Sequence, residues 1–148
     1  KIIKIKEKWP KNLPSGIIHG DLFPDNVLFK EEKVSGLIDF YFSCNDFFIY
    51  VLCICINAWS FNKNEFKKDF FNNLIRGYQS VRKLEKEEII LIPFLCHASS
   101  LRFFLTRIDN WKNKNDLDIV NYQDPMEFLE IIKFHELNAD KGYYNLNE

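Results

Sequence analysis

The stretch His19-Gly20-Asp21-Leu22-Phe23-Pro24-Asp25-Asn26, with Asp39 thirteen residues beyond Asn26, constrains this chain more than any other part of it. Asp21 and Asp39 supply carboxylates and Asn26 a neutral amide oxygen. Such a hard-oxygen set suits magnesium and leaves coordination positions for phosphate oxygens and water, whereas a set rich in His and Cys would point to zinc. Whether the three can meet depends on what lies between them. Val27 to Phe29 and Val34 to Ile38 read as two short strands joined by Glu31-Glu32-Lys33, a hairpin that folds the chain back and brings Asp39 beside Asn26. Taken singly, each of the three is also a residue that caps turns, so the signal lies in the combination.

The rest of the composition narrows the setting. A chain of 148 residues fits one domain and buries roughly two thirds of its unfolded surface. Lys and Arg number 20 against 21 Asp and Glu, for a net charge of −1, so there is no basic field of the kind nucleic-acid binding uses, and no nucleic-acid partner is expected. Cys44, Cys53, Cys55 and Cys96 have neither zinc-type pairing nor the density of a disulfide scaffold, and read as reduced thiols, Cys53 and Cys55 as small buried hydrophobes. Position 1 is not Met, which marks the sequence as an excerpt or a truncated reading frame. Lys1 to Lys8 is charged throughout and does not resemble a signal peptide, so the cytoplasm is the expected location.

In chain order, Lys1 to Lys8 fits a strand or the tail of a helix equally, and Leu13-Pro14-Ser15-Gly16 is a turn into Ile17-Ile18-His19. Asn45-Asp46 is expected to cap a helix from Phe47 to Trp59. That helix is apolar on every face but falls short of the approximately 20 residues of a membrane span, so it reads as a central core helix and no membrane partner is expected. Asn64 to Ser80 carries Phe66, Phe70, Phe71, Leu74, Ile75 and Tyr78 at helical spacing. Lys83 to Glu88 reads as the solvated start of a segment from Ile89 to Trp111 that Pro93 kinks or divides. Lys112 to Gln123 is polar and reads as a surface loop. Asp124-Pro125 then opens a last helix, Met126 to Leu137, with Asp as cap and Pro in the first turn. The tail 138–148 is expected to fray. His97 and His135 lack ligand-type partners in sequence and read as helix residues. The sum is α+β and mainly α, a short hairpin with four or five helices.

An Asp followed five positions on by an Asn, and then by a second Asp after a hairpin, is the arrangement of kinase catalytic and metal loops. The wider text, Leu13 to Asn26 followed by Ser35-Gly36-Leu37-Ile38-Asp39-Phe40-Tyr41-Phe42-Ser43-Cys44-Asn45-Asp46-Phe47, resembles the bacterial homoserine kinase family of the aminoglycoside and choline phosphotransferase superfamily. Ile56-Asn57-Ala58-Trp59, Leu101-Arg102-Phe103-Phe104-Leu105 and Asp124-Pro125 before Phe128 are similar to it as well. The resemblance covers nearly the whole chain but only the second half of the family.

The resemblance implies that 1–148 is a single C-terminal lobe of a protein-kinase-like fold, with the hairpin next to the catalytic loop. It implies ATP and Mg²⁺ as cofactors and L-homoserine as the acceptor, phosphorylated on the route to threonine. Asp21 would orient the hydroxyl, Asn26 and Asp39 would hold metal, and His19 and Asp25 would be structural in the loop. The guanidinium fork of Arg102, ahead of that of Arg107, matches the carboxylate of an amino-acid substrate, and a surface or interhelix ion pair is the alternative for either. An N-terminal lobe with a phosphate-covering loop and a nucleotide lysine is also implied, and nothing before Lys1 supplies one. The chain by itself is therefore expected to be inactive unless a separately encoded N-lobe joins it. The alternatives are a non-catalytic remnant or binding module of the same fold, or a kinase for another small amino alcohol or an aminoglycoside. Val51 stands where the family has an Asp that accepts hydrogen bonds from loop amides, so a loose loop is expected.

Overall fold

An unbroken apolar run, Phe48–Trp59, forms the helix α2 on which the rest of the molecule is hung. Its Ile49, Leu52, Cys53, Ile54 and Ile56 are all buried. The computed structural model describes residues 2–63, 65–113 and 124–146. Within them the chain is mainly helical with small antiparallel sheets, an α+β architecture. Helix α1 (Ile2–Lys8) precedes strand β1 (Ser15–Ile18), the hairpin β2 (Val27–Lys30) and β3 (Lys33–Leu37), and strand β4 (Cys44–Phe47). After α2 come the short strands β5 (Phe61–Asn62) and β6 (Glu65–Phe66), then α3 (Lys68–Val81), α4 (Lys86–Lys112) and α5 (Pro125–Asn138). β1 pairs with β4, β2 with β3 and β5 with β6.

The hydrophobic effect is served by stacking α4 between α2 and α5. Ile92, Leu95, Cys96 and Ser99 of α4 are wholly buried there, as are Phe128, Ile131 and Ile132 of α5 nearly so. α4 is the one helix among the described residues long and apolar enough to cross a membrane. Here its apolar side is core. Cys53, Cys55 and Cys96 are buried free thiols, and burial pushes the Cys55 thiol up to about 12.

Several local expectations give way to tertiary structure. Lys1 to Lys8 contributes a helix. Asn45 and Asp46 do not cap α2 but lie in β4, opposite Ile17 and Gly16, and the helix starts at Phe48 with no side-chain cap. The ladder extends past them, since the Phe48 amide donates to the Pro14 carbonyl (3.0 Å). α3 begins four residues later than its apolar spacing suggests, because Phe66 pairs with Phe61 in a strand ladder instead. Pro93 does not divide α4, which runs uninterrupted from Lys86 to Lys112. Glu88 is not solvated: it is wholly buried, Arg82 donates to both of its oxygens (2.5 and 3.1 Å), and the Glu85 amide donates to it in a capping box. Asp124 does cap α5, its side chain accepting from the Met126 amide (2.8 Å). The loop expected over 112–123 lies outside the described residues from 114 on. Tyr144 is buried against α5, and Lys68 donates to the carbonyls of Tyr143 (2.6 Å) and Asn145 (2.7 Å).

Candidate active site

Gly20 sets the path of the loop after β1. It sits at φ +75°, and a Cβ there would stand 2.4 Å from the Phe42 carbonyl oxygen, so only glycine lets the loop and the segment after Asp39 approach this closely. His19 joins the same two segments. Its Nε2 donates to the Ile38 carbonyl (2.9 Å) and its Nδ1 accepts from the Asp21 amide (3.3 Å). With both nitrogens engaged and Phe40 against the ring, His19 is a brace.

Asn26 closes the short turn Pro24–Asn26 and is buried. Its amide nitrogen donates to the Asp21 carbonyl (2.8 Å) and to Asp21 Oδ2 (3.3 Å), which turns its Oδ1 the other way. Its backbone carbonyl accepts from the Ile38 amide (3.1 Å), so the strand leading to Asp39 is tied to it. Asp39 itself is exposed and adopts the left-handed region, φ 59° and ψ 64°, a conformation Asp tolerates better than most side chains. It precedes the turn Phe40–Phe42 without capping it by a side-chain bond, so its carboxylate is not drawn into the turn. The β2–β3 hairpin separates the two, with Val27 opposite Leu37.

Asp21 is half-buried. Burial pushes its carboxyl above the usual range, the Arg102 guanidinium opposes this, and the Asp39 and Asp25 carboxylates push it further up. Two neighbouring carboxylates thus act on Asp21 across this loop. Asp25 is exposed and its side chain accepts no hydrogen bond among the described residues; backbone bonds close its turn.

Arg102 of α4 donates from Nη2 to the Gly20 carbonyl (2.8 Å), with Phe103 4.3 Å from its guanidinium carbon. Trp59 Nε1 donates to the Leu22 carbonyl (3.0 Å). The loop is therefore held by His19, Arg102 and Trp59 without a carboxylate from α2. Val51 is half-buried and packs against the core. The sequence reading missed Trp59 as a support of the loop. Its signal was available: an aromatic side chain with a polar tip in an otherwise apolar helix needs a partner for that tip.

A pocket of about 170 Å³ opens beside Asp21, bordered by Asp25, Phe42, Arg102, Thr106 and Arg107 among others. Arg107, near its far end, donates from Nη1 to Glu127 (2.9 Å) and to the Asp124 carbonyl (3.0 Å). Among the described residues no group of three or more His, Cys, Asp or Glu side chains could hold a metal. The donor chemistry on offer is the smaller set, one amide oxygen and one carboxylate, which fits a magnesium ion that completes its shell with phosphate and water.

The model of the Phosphotransferase enzyme family matches residues 2–84, more than half of the chain. The chain is also similar to curated proteins named homoserine kinase: 46% identical over 143 residues to that of Sinorhizobium fredii, 48% over 143 residues to that of Rhizobium meliloti, and 47% over 140 residues to that of Rhizobium etli. The matches cover 94 to 96% of this chain and 44% of each relative, so the chain spans less than half the length of the proteins it matches.

Proposed function

Because this chain belongs to the phosphotransferase enzyme family, we propose that it is the acceptor-side lobe of a homoserine kinase, moving the γ-phosphate of ATP onto the hydroxyl of L-homoserine. The observation that carries the reading is the hydrogen bond from Asn26 to Asp21, which holds the two side chains together at kinase spacing and leaves the Asn26 Oδ1 outside that bond. In the reaction the hydroxyl oxygen of the acceptor forms a bond to phosphorus, the bond from phosphorus to the β–γ bridging oxygen breaks, and ADP leaves with that electron pair. Asp21 orients the hydroxyl and accepts its proton. Burial raises its pKa above that of a free carboxylate, which makes it the stronger proton acceptor. Asn26 Oδ1 and the Asp39 carboxylate are the residues that would hold Mg²⁺. When bound, the ion neutralises charge on the phosphates. His19 keeps the two loops in register, and Arg102 keeps the Gly20 carbonyl and with it the Asp21 backbone in place. With ATP and a free amino acid as reactants, we place the reaction in the cytoplasm, as a step toward threonine.

The nucleotide-clamping residues of such an enzyme are assigned to the length of the relatives that lies outside the match. The test joins this chain to that part of the Rhizobium meliloti protein and follows ADP and phosphohomoserine. Release of ADP that requires homoserine, falls by about 10²-fold or more in Asp21→Asn and falls further in Asp39→Ala than in His19→Ala is the expected result. Turnover that survives Asp21→Asn, or equal losses at Asp39 and His19, would overturn the assignment.

A further inference from the structure

A groove of about 550 Å³ lies between α2 and α3 and shares no lining residue with the pocket beside Asp21. Cys55 and Trp59 of α2 line one side, and Phe70, Leu74 and Tyr78 of α3, four residues apart, line the other. Asp69 is the one charged residue in the lining, and among the described residues it has no hydrogen bond or ion pair. The cations near it are engaged elsewhere. Lys67 pairs with Glu65 (2.5 Å), Lys68 holds the carbonyls of the tail, and Arg82, which donates to the Tyr78 hydroxyl (2.8 Å), is met by the buried Glu88. Gly77 lines the same groove. In a helix interior glycine is the least stable residue apart from proline, so its presence there asks for a left-handed backbone or a close neighbour. Gly77 has neither within the chain: it lies inside α3 without a positive φ, and a Cβ there would meet nothing within 4 Å. The room it leaves belongs to the groove.

We propose that this groove is a second ligand site, for a flat aromatic cation whose rings lie between Trp59 and the Phe70–Leu74 ridge, whose charge meets Asp69, and whose edge passes over the bare backbone at Gly77. The volume is within the range of roughly 300 to 1,000 Å³ that small-molecule sites occupy. Length agrees as well, since Asp69 and Gly77 stand eight residues apart, about 12 Å along the helix axis, the reach of roughly three fused rings with an amino group. Charge decides the sign. A lone carboxylate beside aromatic faces attracts a cation twice over, through its own charge and through the negative faces of the rings, and repels an anion of the same shape. The site also touches the loop's supports. The Trp59 indole N–H and the Cys55 thiol both point at the Leu22 carbonyl, at 3.0 and 3.9 Å, one residue past Asp21. A ligand in the groove therefore rests on side chains that hold the loop.

Titration calorimetry of this chain with 9-aminoacridine and with acridine-9-carboxylate, one ring system carrying opposite charges, tests the proposal. The cation is expected to bind about tenfold or more tightly than the anion, and Asp69→Asn should close most of that gap. Gly77→Ala should raise the urea midpoint, as alanine does in a helix interior, and yet weaken the cation severalfold. Gly77→Leu, which fills the groove from α3, should abolish binding without lowering the midpoint. In the saturated chain the Phe23 and Asn26 amides, which donate within the loop, should exchange with solvent severalfold more slowly. Equal binding of the two acridines, binding that survives Gly77→Leu, loop exchange unchanged at saturation, or no binding of 9-aminoacridine by the unaltered chain would each overturn it. A doubled mass in light scattering that Gly77→Leu abolishes would overturn it too, by assigning the groove to a second copy of the chain. None of these readouts involves phosphoryl transfer, so the groove can fail while homoserine-dependent ADP release stands, and the reverse.

Discussion

Asp21 carries a cost in stability for the position proposed for it. Its carboxyl is raised by burial and by the neighbouring Asp39 and Asp25 carboxylates, against a partial offset from Arg102. For an acid whose folded pKa lies above its unfolded value, the associated stability is present below the unfolded value of 3.8 and is lost as pH rises through the folded one. At neutral pH the ionised Asp21 therefore destabilises the fold. Asp21→Asn, the substitution that should abolish transfer, should stabilise the chain at pH 7 by about 1 kcal/mol or less, since the group is half exposed and its repulsions are screened. Urea denaturation of the two proteins gives the sign, and a less stable Asp21→Asn would mean that the carboxylate is better paired than its surroundings suggest. Val51 poses the opposite case. With the loop already held by His19, Arg102 and Trp59, a carboxylate at position 51 gains little, and Val51→Asp should destabilise by more than about 2 kcal/mol through burial of a charge among core side chains. A thermal melt unchanged or raised by Val51→Asp would show that loop amides were waiting for that acceptor.

At the scale of elements, what the sequence made legible depended on whether a local signal met competition. Asp124-Pro125 starts α5 because cap and ring act on their own turn, and nothing else bids for those residues. Asn45-Asp46 is the same kind of signal, yet the β1 strand offers its backbone a ladder, and the ladder wins. Glu88 looked like one more surface charge until Arg82, six residues before it, folded back to bury it. Periodicity cannot report such a partner. At the candidate site the spacing of Asp21, Asn26 and Asp39 could be read because a motif is local, whereas the supports from Trp59 and Arg102 come from helices further along the chain. The hairpin shows a local conflict that survives folding. Glu31 and Glu32 form its two-residue turn with φ of 50° and 61°, the type I′ geometry that Asn-Gly prefers. Replacing the pair, Glu31→Asn with Glu32→Gly, should stabilise the chain by about 1 kcal/mol. A melting temperature left where it was would indicate that the turn relaxes at no cost in solution.

The molecule as a whole is closed by one buried polar chain that links three helices and the C-terminal tail. His135 of α5 is 1% exposed. Its Nε2 donates to Asn57 Oδ1 of α2 (2.7 Å), and its Nδ1 accepts from the Tyr144 hydroxyl of the tail. The Asn57 amide nitrogen in turn donates to the Cys96 carbonyl and Ser99 Oγ of α4, both at 2.8 Å. Every proton in this chain has a place only if the imidazole is neutral, because a second ring N–H would point at the hydroxyl that now donates to it. Burial, with His97 adding to it, lowers the His135 pKa from 6.5 to about 3. The unfolded chain therefore takes up a proton below about pH 6.5 that the folded chain refuses until about pH 3, and the stability contributed by this site is present above the upper value and lost as pH falls across that window. The slope is about 1.4 kcal/mol per pH unit, so acidification from pH 6.5 to 5 should cost about 2 kcal/mol through His135 alone. His135→Gln keeps a donor and an acceptor but cannot titrate. It should be less stable than the unaltered chain at pH 7.5, where the geometry of the network is lost, and should show a shallower decline toward pH 5 in denaturant midpoints. Parallel declines of the two proteins would place the acid sensitivity of the lobe elsewhere and remove His135 as its central latch.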